Sequence, residues 1–520
     1  MSVNRRVFLQ QLGISTLQLG IISSLPAWKP SPLGLPRSTP EAQGIASDGI
    51  LNFIKTIESE KLNVHSLMVL RHGQVIAEGW WAPYAPTLKH TLYSLSKSFT
   101  STAIGIAVDE KRLHVDDKII SFFPEDAPPK VSPNLATMRV KDLLTMSTGH
   151  ATDTTPAIAA TQNWVKAFFE QPVEYQPGTH FLYNSGATYM LSALIQKLTG
   201  QTLLEYLTPR LFRPLSIEGA DWEVDPKGIN TGGWGLRVKT EDIARFGQMY
   251  LQKGIWKGKR IVSENWVNDA TTFEIQSAGG TGPKETNDWL QGYGYQFWRC
   301  RHEGYRGDGA FGQYCIVIPD QDLVLAMTSE TANMQGIMDA AWNHILPAIG
   351  SASNLTTQTQ LRKKLISLTL PRATGSLSSS RMPQLNGKTI QLQSNDLGVT
   401  SLKIAFSKAA STLVVSDTKG PHILRCGLGQ WLHSTTNLSV NPLKLIPTPV
   451  PGETDTKIAA SGAWKDDQTF FMIIRFIETA HYEIISLHFD SSTVQVRFQR
   501  SIDVLAGKAD DRPALEGKLT

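Results

Sequence analysis

The order of the predicted elements constrains the fold of this chain more than any other feature. Residues 66–81 are typical of a β-hairpin, in which two apolar strands flank the turn Arg71-His72-Gly73-Gln74. Helical patterns follow at 94–111, 140–146 and 188–199. Strand patterns then return at 295–298, 313–318 and 323–328. Strands that bracket a block of helices predict an α+β fold, with one antiparallel sheet built from both ends of the region, flanked by helices, and a helical block inserted between them.

The composition and the hydrophobic pattern of the sequence change after about residue 350. Residues 351–383 are rich in Ser, Thr and basic side chains and predict a linker, with one helical patch near Leu361. From 384 to 520 short alternating runs dominate, which predicts an all-β accessory domain, either a sandwich or a barrel. The predicted organisation is therefore a first domain at 38–350, a linker at 351–383 and a second domain at 384–520.

Ser94 and Lys97 lie three residues apart at the predicted start of a helix. Residues one helical turn apart share a face, so the hydroxyl and the amine are within reach of each other. A serine needs a base to become a strong nucleophile, and a lysine becomes a base where burial lowers its pKa. Taken alone, the pattern is more typical of a helix cap followed by an exposed lysine. A second copy, Ser416-Asp417-Thr418-Lys419, lies among turn residues and is assigned no role.

Two further motifs follow this pattern along the chain. They are Phe181-Leu182-Tyr183-Asn184-Ser185-Gly186 and the glycine-rich strand entry Tyr305-Arg306-Gly307-Asp308-Gly309-Ala310-Phe311-Gly312-Gln313-Tyr314. Together the three motifs resemble those of the β-lactamase-like serine hydrolases, which include class C β-lactamases, D-alanyl-D-alanine carboxypeptidases, related esterases and aminohexanoate-dimer hydrolases. The resemblance covers roughly residues 38–350. It is supported by the segments 140–150, 232–236 and 242–247.

The resemblance implies a β-lactamase-like fold and a role for each motif. Ser94 matches the nucleophile that is acylated, Lys97 its general base, and Tyr183 the tyrosine that exchanges protons with the nucleophile and the leaving group. The backbone N–H groups of Ser94 and Ala310 are the expected oxyanion hole. The expected substrate-binding residues are Ser185, Asp308, Gly309 and Gln313.

Two departures from the family pattern bear on the substrate. Ser185 stands where the second motif of the family usually ends in Asn, and the third motif reads Gly307-Asp308-Gly309, without the cation that penicillin-recognising members carry. Arg306 and Asp308 point to the same face of a strand and can pair, but a neutral pair does not replace a free cation. These departures favour an esterase or amidase acting on a small ester, amide or peptide-like substrate. A β-lactamase or D,D-peptidase and a catalytically silent binding protein on the same fold remain alternatives.

Charge and cysteine content exclude several classes of partner. The net charge is +4 over 520 residues and no basic block stands out, so nucleic-acid binding has no support. The three cysteines, Cys300, Cys315 and Cys426, show no metal-ligand spacing and cannot all pair. We therefore expect no metal, no cofactor and no disulfide framework.

The N-terminal sequence predicts an export signal. Asn4-Arg5-Arg6-Val7-Phe8-Leu9-Gln10 has the form of a twin-arginine signal, an apolar stretch follows, and Leu25-Pro26-Ala27 is an acceptable cleavage site. The alternative is a short uncleaved anchor. We expect a signal peptide at 1–27, a tether at 28–37, no stable membrane span after cleavage, and a periplasmic or extracellular location in a bacterium.

Overall fold

A computed structural model describes residues 34–438 and 444–520, and Leu35–Thr520 form one compact unit. The predicted signal, 1–27, and most of the predicted tether, 28–37, lie outside the described residues. The α-helices are α1 (Ser47–Ser59), α2 (Ser96–Asp109), α3 (Pro133–Thr137), α4 (Val140–Leu144), α5 (Thr155–Ala159), α6 (Trp164–Phe169), α7 (Ser185–Thr199), α8 (Leu203–Leu207), α9 (Thr240–Leu251), α10 (Glu264–Thr271), α11 (Met334–Ala340), α12 (Leu355–Ile366), α13 (Met382–Leu385) and α14 (Ser501–Leu505).

The strands fall into two groups along the chain. Those of the first group are β1 (Val64–Arg71), β2 (Gln74–Trp80), β3 (His90–Thr91), β4 (Asp221–Trp222), β5 (Leu236–Val238), β6 (Ile255–Trp256), β7 (Lys259–Arg260), β8 (Trp298–Arg299), β9 (Tyr305–Gly309), β10 (Gln313–Ile318) and β11 (Leu323–Ser329). Those of the second are β12 (Thr389–Leu392), β13 (Ser401–Phe406), β14 (Ala410–Asp417), β15 (Gly420–Leu428), β16 (Leu432–Thr436), β17 (Thr456–Trp464), β18 (Thr469–Phe476), β19 (Tyr482–Asp490), β20 (Thr493–Arg500) and β21 (Leu515–Leu519).

The central sheet of the first part has six strands in the order β2-β1-β11-β10-β9-β8. Every neighbouring pair in it is antiparallel, and β1, from the start of the region, pairs with β11, from its end. The predicted sheet with strands from both ends is therefore confirmed. The helical block is inserted between these strands, and the turn that carries Ser94 packs against the end of β9.

Helices cover both faces of this sheet, which explains why β10 and β11 are buried at every position. Side chains alternate across a strand, so Leu67 and Val69 of β1 join one buried cluster while Met68 and Leu70 join the other. The first cluster includes side chains of α1, α11 and α12, and the second includes side chains of α2, α7 and α9. The predicted α+β architecture is confirmed in this arrangement.

Helix α2 is buried along nearly its whole length, from Ser96 to Ala107. Two of its hydroxyl side chains find buried backbone partners: Thr100 Oγ1 donates to the carbonyl of Gly232 at 2.8 Å, and Thr102 Oγ1 donates to the carbonyl of Ser98 at 2.8 Å. Such hydrogen bonds offset the cost of burying hydroxyl groups, whereas the buried Ser101 hydroxyl has no hydrogen-bond partner in the described part of the chain. The consequence for the site is that Lys97, in the first turn, is carried into the interior.

The second group of strands closes into a barrel, which decides between the two predicted all-β forms. Nine strands form the ring, and the parallel pairing of β15 with β17, at Gly427↔Ser461 and Leu428↔Gly462, closes it. β16 pairs with the remaining length of β17. Alternate residues point inward, as in β13, where Leu402, Ile404 and Phe406 are buried while their neighbours are more exposed.

The segment between the two parts is partly helical. α12 occupies much of the predicted linker, and its Leu361 is buried in the same cluster as side chains of α1. The proposed boundaries at 351 and 384 stay predictions. Among residues 34–438 and 444–520, no helix is both long and apolar enough to cross a membrane.

The barrel contacts the first part through buried polar groups. Lys444 Nζ forms an ion pair with Glu223 Oε1 at 2.7 Å, and both side chains are almost fully buried. The indole of Trp234 donates to Thr448 Oγ1 at 2.9 Å, and Thr448 in turn contacts the Glu223 carboxylate. Trp234 belongs to the loop that follows Gly233, so the barrel packs directly on a loop of the first part.

Replacing Lys444 by Met should destabilise the protein through Glu223. Removing one partner of a buried ion pair leaves an uncompensated charge, so we expect the free energy of unfolding to fall by about 3 kcal/mol. Urea unfolding at neutral pH measures this loss. The control is Lys457→Met, because Lys457 pairs with Glu478 at 2.9 Å but is half-exposed, and such pairs contribute below about 1 kcal/mol. Equal losses in the two variants would contradict the prediction.

Candidate active site

Ser94 lies in a single turn of 3₁₀-helix, Tyr93–Leu95, which leads directly into α2. Tyr93 has a φ of +48°, in the left-handed region that a bulky side chain rarely occupies. Within this turn Ser94 is half-buried, while Tyr93 and Leu95 are buried. The Ser94 hydroxyl therefore sits accessibly at the N-terminal end of a buried helix, where free backbone N–H groups attract negative charge.

The Lys97 amine is 1% exposed and touches three oxygen atoms. Its Nζ lies 3.0 Å from Ser94 Oγ, 2.9 Å from Ser185 Oγ and 2.8 Å from the carbonyl oxygen of Gly233. The predicted contact between Ser94 and Lys97 across one helical turn is present. A neutral amine has two N–H groups and one lone pair, so it can donate to Gly233 and Ser185 while accepting from the Ser94 hydroxyl.

Burial decides the protonation of Lys97. It lowers the pKa of the amine from 10.5 to about 7, against the weaker opposing attraction of the Asp153 and Asp308 carboxylates. No carboxylate is among its hydrogen-bond partners, all of which are hydroxyl or carbonyl oxygens. The amine is therefore neutral in a substantial fraction of molecules near neutral pH, which is the state a general base requires.

Tyr183 stands over the same amine. The Lys97 Nζ lies 4.9 Å from the centre of the Tyr183 ring, which stacks on the indole of Trp298 at 5.3 Å. Burial raises the pKa of Tyr183, and Asp308 raises it further, while a hydrogen bond with Ser94 lowers it. The phenol is therefore protonated at rest, and its O–H is available as a proton donor next to the nucleophile.

Ser185 is placed at Lys97, which differs from the expectation of a purely substrate-binding residue. It is the first residue of α7, and its side chain contacts the amine while its N–H donates to Asp153 Oδ1 at 3.2 Å. The same Asp153 oxygen accepts from the Thr155 N–H and hydroxyl. Ser185 thus connects Lys97 to an exposed carboxylate at the rim of the site.

The third motif places an ion pair beside the nucleophile. Arg306 Nε donates to Asp308 Oδ2 at 2.9 Å, and the two side chains are 0% and 6% exposed. The guanidinium also donates to the carbonyls of Asp288 and Arg299 and lies 4.7 Å from the ring of Trp289. Burial raises the pKa of Asp308, whereas Arg306 lowers it. The expected pairing of Arg306 with Asp308 is observed, and Arg306 is committed to it.

Close packing at Gly309 brings the end of β9 against the turn that carries Ser94. A Cβ atom at Gly309 would lie 2.0 Å from the carbonyl oxygen of Leu92, so any other residue would push the strand away. Ala310 follows in the turn to β10 and is half-exposed. This contact brings the strand end that precedes Ala310 against the turn that carries Ser94. The oxyanion-hole role of the Ser94 and Ala310 N–H groups stays a prediction.

Gln313 does not fit the expected substrate-binding role. It is 0% exposed, and its Nε2 donates to the carbonyls of Ala310 and Ser329 at 2.9 and 2.8 Å. Its Oε1 accepts from the Ser329 N–H. The amide is fully used within the protein, because it fastens the β9–β10 turn to β11. We therefore correct its role from substrate binding to support of the turn that carries Ala310.

The structure adds groups that the sequence did not reveal. They are the Gly233 carbonyl, the Asp153 carboxylate and an aromatic cluster around Tyr183 formed by Met146, Phe181, Tyr293 and Trp298. The doubled glycine at 232–233 was a usable signal for a close backbone approach, but nothing in the local sequence marks Asp153. In the described part of the chain no group of His, Cys, Asp and Glu side chains is arranged to hold a metal ion.

Comparison with known proteins gives a family match. A family model described as Beta-lactamase matches residues 55–348. The 6-aminohexanoate-dimer hydrolase of Paenarthrobacter ureafaciens is 26% identical over 318 residues, which are 56% of this chain and 79% of that protein. Protein flp of Staphylococcus aureus (strain MW2) is 25% identical over 167 residues, 29% of this chain and 33% of that protein. The octameric penicillin-binding protein homologue from Pyrococcus abyssi aligns with a TM-score of 0.45 and 15% identity, covering 89% of this chain and 98% of that one.

The pH dependence of catalysis should report the Lys97 amine. Only the neutral amine accepts a proton, and its pKa is lowered to about 7. We therefore expect kcat/KM for p-nitrophenyl butyrate to rise about tenfold per pH unit below that pKa and to level off above it. Lys97→Met should be inactive at every pH. Lys141→Met is the matched control, because Lys141 pairs with Glu274 and has no part in these contacts. A flat profile between about pH 6 and pH 9 would contradict the assignment.

Proposed function

We propose, from the premise that this chain belongs to the beta-lactamase family, that it is a serine hydrolase cleaving ester or amide bonds through an acyl-enzyme on Ser94. One observation carries the proposal. The Ser94 hydroxyl lies 3.0 Å from a buried lysine amine whose pKa is lowered to about 7. A hydroxyl beside a neutral amine is an activated nucleophile, whereas a helix cap beside an exposed lysine is not.

Acylation follows from these contacts. Ser94 Oγ attacks the substrate carbonyl carbon while Lys97 takes the hydroxyl proton, and the oxygen that becomes negative is stabilised by the N–H groups of Ser94 and Ala310. The carbon–oxygen or carbon–nitrogen bond then breaks. The leaving group takes a proton from the Tyr183 phenol, and the Lys97 ammonium returns one to the resulting phenolate, which leaves Lys97 neutral in the acyl-enzyme.

Deacylation uses the same groups in reverse order. Water attacks the ester carbon of the acyl-enzyme, and its proton passes to Lys97 directly or through Tyr183. The bond to Ser94 Oγ breaks and the oxygen recovers a proton from the Lys97 ammonium, which restores the neutral amine. Dividing hydrolysis into two steps replaces one high barrier by two lower ones.

Charge around the site favours a neutral substrate. Apart from Lys97, which is neutral in its reactive form, the nearby charged groups are the Asp308 carboxylate, which is paired with the Arg306 guanidinium, and the Asp153 carboxylate at the rim. A substrate carboxylate would meet net negative charge in a partly dry pocket, where like charges are costly. The relative named a 6-aminohexanoate-dimer hydrolase supports an amide among the candidate substrates.

A β-lactamase or D,D-peptidase is the second candidate. The family match favours it, whereas the acid at Asp308 in the third motif opposes it. A silent binding protein is less well supported, because Ser94, Lys97 and Tyr183 are all present and in contact. Export through the twin-arginine signal at 1–27 is part of the proposal and rests on sequence alone.

Ser94→Ala should abolish turnover and leave the fold intact. Loss of the covalent nucleophile removes the acyl-enzyme, so we expect kcat to fall on the order of 10³-fold or more. A fluorophosphonate probe should label the wild-type protein at Ser94 and leave this variant unlabelled. The matched control is Ser98→Ala, because Ser98 is one turn further along α2 and donates to the carbonyl of Gln296. Normal activity of Ser94→Ala would remove this serine from the mechanism.

Substrate charge gives a second test. The wild-type protein should hydrolyse p-nitrophenyl butyrate with a higher kcat/KM than nitrocefin, which carries a carboxylate. Asp308→Asn keeps the shape of the side chain and leaves the charge of Arg306 without a partner carboxylate. The ratio of kcat/KM for nitrocefin to kcat/KM for p-nitrophenyl butyrate should therefore rise about tenfold. Asp320→Asn, at an exposed acid in the turn after β10, is the control. A wild-type preference for nitrocefin would promote the β-lactamase function.

A further inference from the structure

We infer that the barrel holds the oxyanion hole of this enzyme in shape through His481, which acts as a positioning residue. The inference rests on the proposed hydrolase mechanism and deepens it. It concerns the turn between β18 and β19, at residues 477–481, which we call the docking turn. The contacts of this turn with the residues that lead to Ser94 carry the argument.

The docking turn binds the segment of chain immediately before the nucleophile. The N–H of Thr91 donates to the carbonyl of Glu478 at 3.0 Å, and the hydroxyl of Tyr84 donates to the carbonyl of Thr479 at 3.0 Å. The hydroxyl of Tyr93 is hydrogen-bonded to Nε2 of His481. Three hydrogen bonds within four residues of the barrel thus fix the approach to Ser94 from one side.

His481 links this segment to the central sheet. Its Nδ1 lies 2.7 Å from Glu330 Oε1, directly after the last residue of β11, while its Nε2 contacts Tyr93. His481, Glu330 and Tyr93 are 2%, 0% and 5% exposed, so water does not compete for these bonds. Nδ1 also has a longer contact with Ser501 Oγ, at 3.5 Å. Through Glu330 and Tyr93 the imidazole fixes the distance between the Tyr93 side chain and the end of a central strand.

The same imidazole also packs against the other half of the predicted oxyanion hole. The ring of Phe311, the residue after Ala310, lies 4.9 Å from the His481 ring and 5.5 Å from the Tyr93 ring, edge to face in both cases. One side chain of the barrel thus contacts the residue before Ser94 and the residue after Ala310. Those two positions flank the two backbone N–H groups assigned to the oxyanion.

Backbone geometry explains why this support matters. Tyr93 and Phe311 have φ values of +48° and +69°, both in the left-handed region that bulky side chains disfavour. Such conformations persist when surrounding contacts hold them. If Tyr93 relaxed to a negative φ, the adjacent peptide unit, which carries the Ser94 N–H, would turn away from the oxyanion. Relaxation at Phe311 would change the shape of the β9–β10 turn that contains Ala310. The contacts of His481 oppose that relaxation at both positions.

The test compares His481→Phe with a matched control from the same barrel. His433 also contacts the first part, where its Nε2 lies 3.1 Å from the carbonyl oxygen of Pro83. Unlike His481, it has no hydrogen bond to Tyr93 and no ring contact with Phe311 among the described residues. His433→Phe removes one contact between the barrel and the first part and leaves the imidazole at 481 in place. Both variants are made in the full chain and titrated with a fluorophosphonate probe, so that kcat is expressed per reactive site.

His481→Phe should lower kcat per titrated site on the order of 10-fold to 100-fold, with KM for p-nitrophenyl butyrate within about twofold of wild type. Inhibition by a boronic acid, which forms a tetrahedral adduct on serine, should weaken by a similar factor. His433→Phe should change neither. A loss seen only as fewer titrated sites, an equal loss in both variants, or a rise in KM alone would assign His481 a merely structural role and overturn the inference.

A second variant and a second readout keep the test decisive if His481→Phe does not fold. Tyr93→Phe removes only the hydroxyl that meets His481 and should lower kcat per site in the same direction. Amide hydrogen exchange should rise in peptides covering 92–96 and 309–313, in Tyr93→Phe and in His481→Phe, and stay unchanged in His433→Phe. Unchanged exchange overturns the inference even if turnover is undetectable. Absence of probe labelling in the wild type, by contrast, overturns the proposed function.

Discussion

The burial of one lysine amine without a carboxylate partner is the interaction on which the rest of the site depends. A lysine at 1% exposure is tolerated when its N–H groups are satisfied, and Gly233 and Ser185 supply the acceptors. Because no acid pairs with it, burial lowers its pKa to about 7 and leaves a base beside Ser94. Full burial of α2 by the sheet and the helical block is what makes that environment. Burial without a carboxylate partner therefore both costs stability and makes the amine a usable base.

The charges around that amine are arranged to limit how far its pKa moves. Asp153 and Asp308 both favour the protonated amine, but Asp153 is exposed and Asp308 shares its charge with Arg306. A carboxylate in direct contact would keep the ammonium form and remove the base. Held at this distance, the two acids leave the balance to burial, and in the proposed function they disfavour a carboxylate on the substrate. Base strength and substrate charge are thus set by the same few side chains.

The features that could be predicted from the sequence are those that the local periodicity of the chain determines. The contact of Ser94 with Lys97 follows from one helical turn, the sheet from strands at both ends of the region, and the barrel from alternating runs after 384. Contacts between residues far apart in sequence could not be predicted from such local patterns. Gly233 is 136 residues from Lys97 and His481 is 388 from Tyr93. The family resemblance placed Gln313 among the substrate-binding residues, whereas its amide is consumed by buried backbone groups. No local pattern distinguishes those two uses.

The interface between the barrel and the first part explains how a remote β structure bears on the nucleophile. It combines apolar contacts, since Ala459 and Ile477 of the barrel belong to the cluster beneath the sheet, with buried polar bridges at Glu223 and Glu330. Apolar burial gives affinity without direction, whereas buried hydrogen bonds are lost if the geometry shifts by a few tenths of an ångström. If the barrel were displaced, Glu330 Oε1 and the Tyr93 hydroxyl would both lose their contact with His481, beside a backbone already in an unfavourable conformation. The turn that carries Ser94 would then be among the first places to relax, which ties the geometry of catalysis to the docking of the barrel.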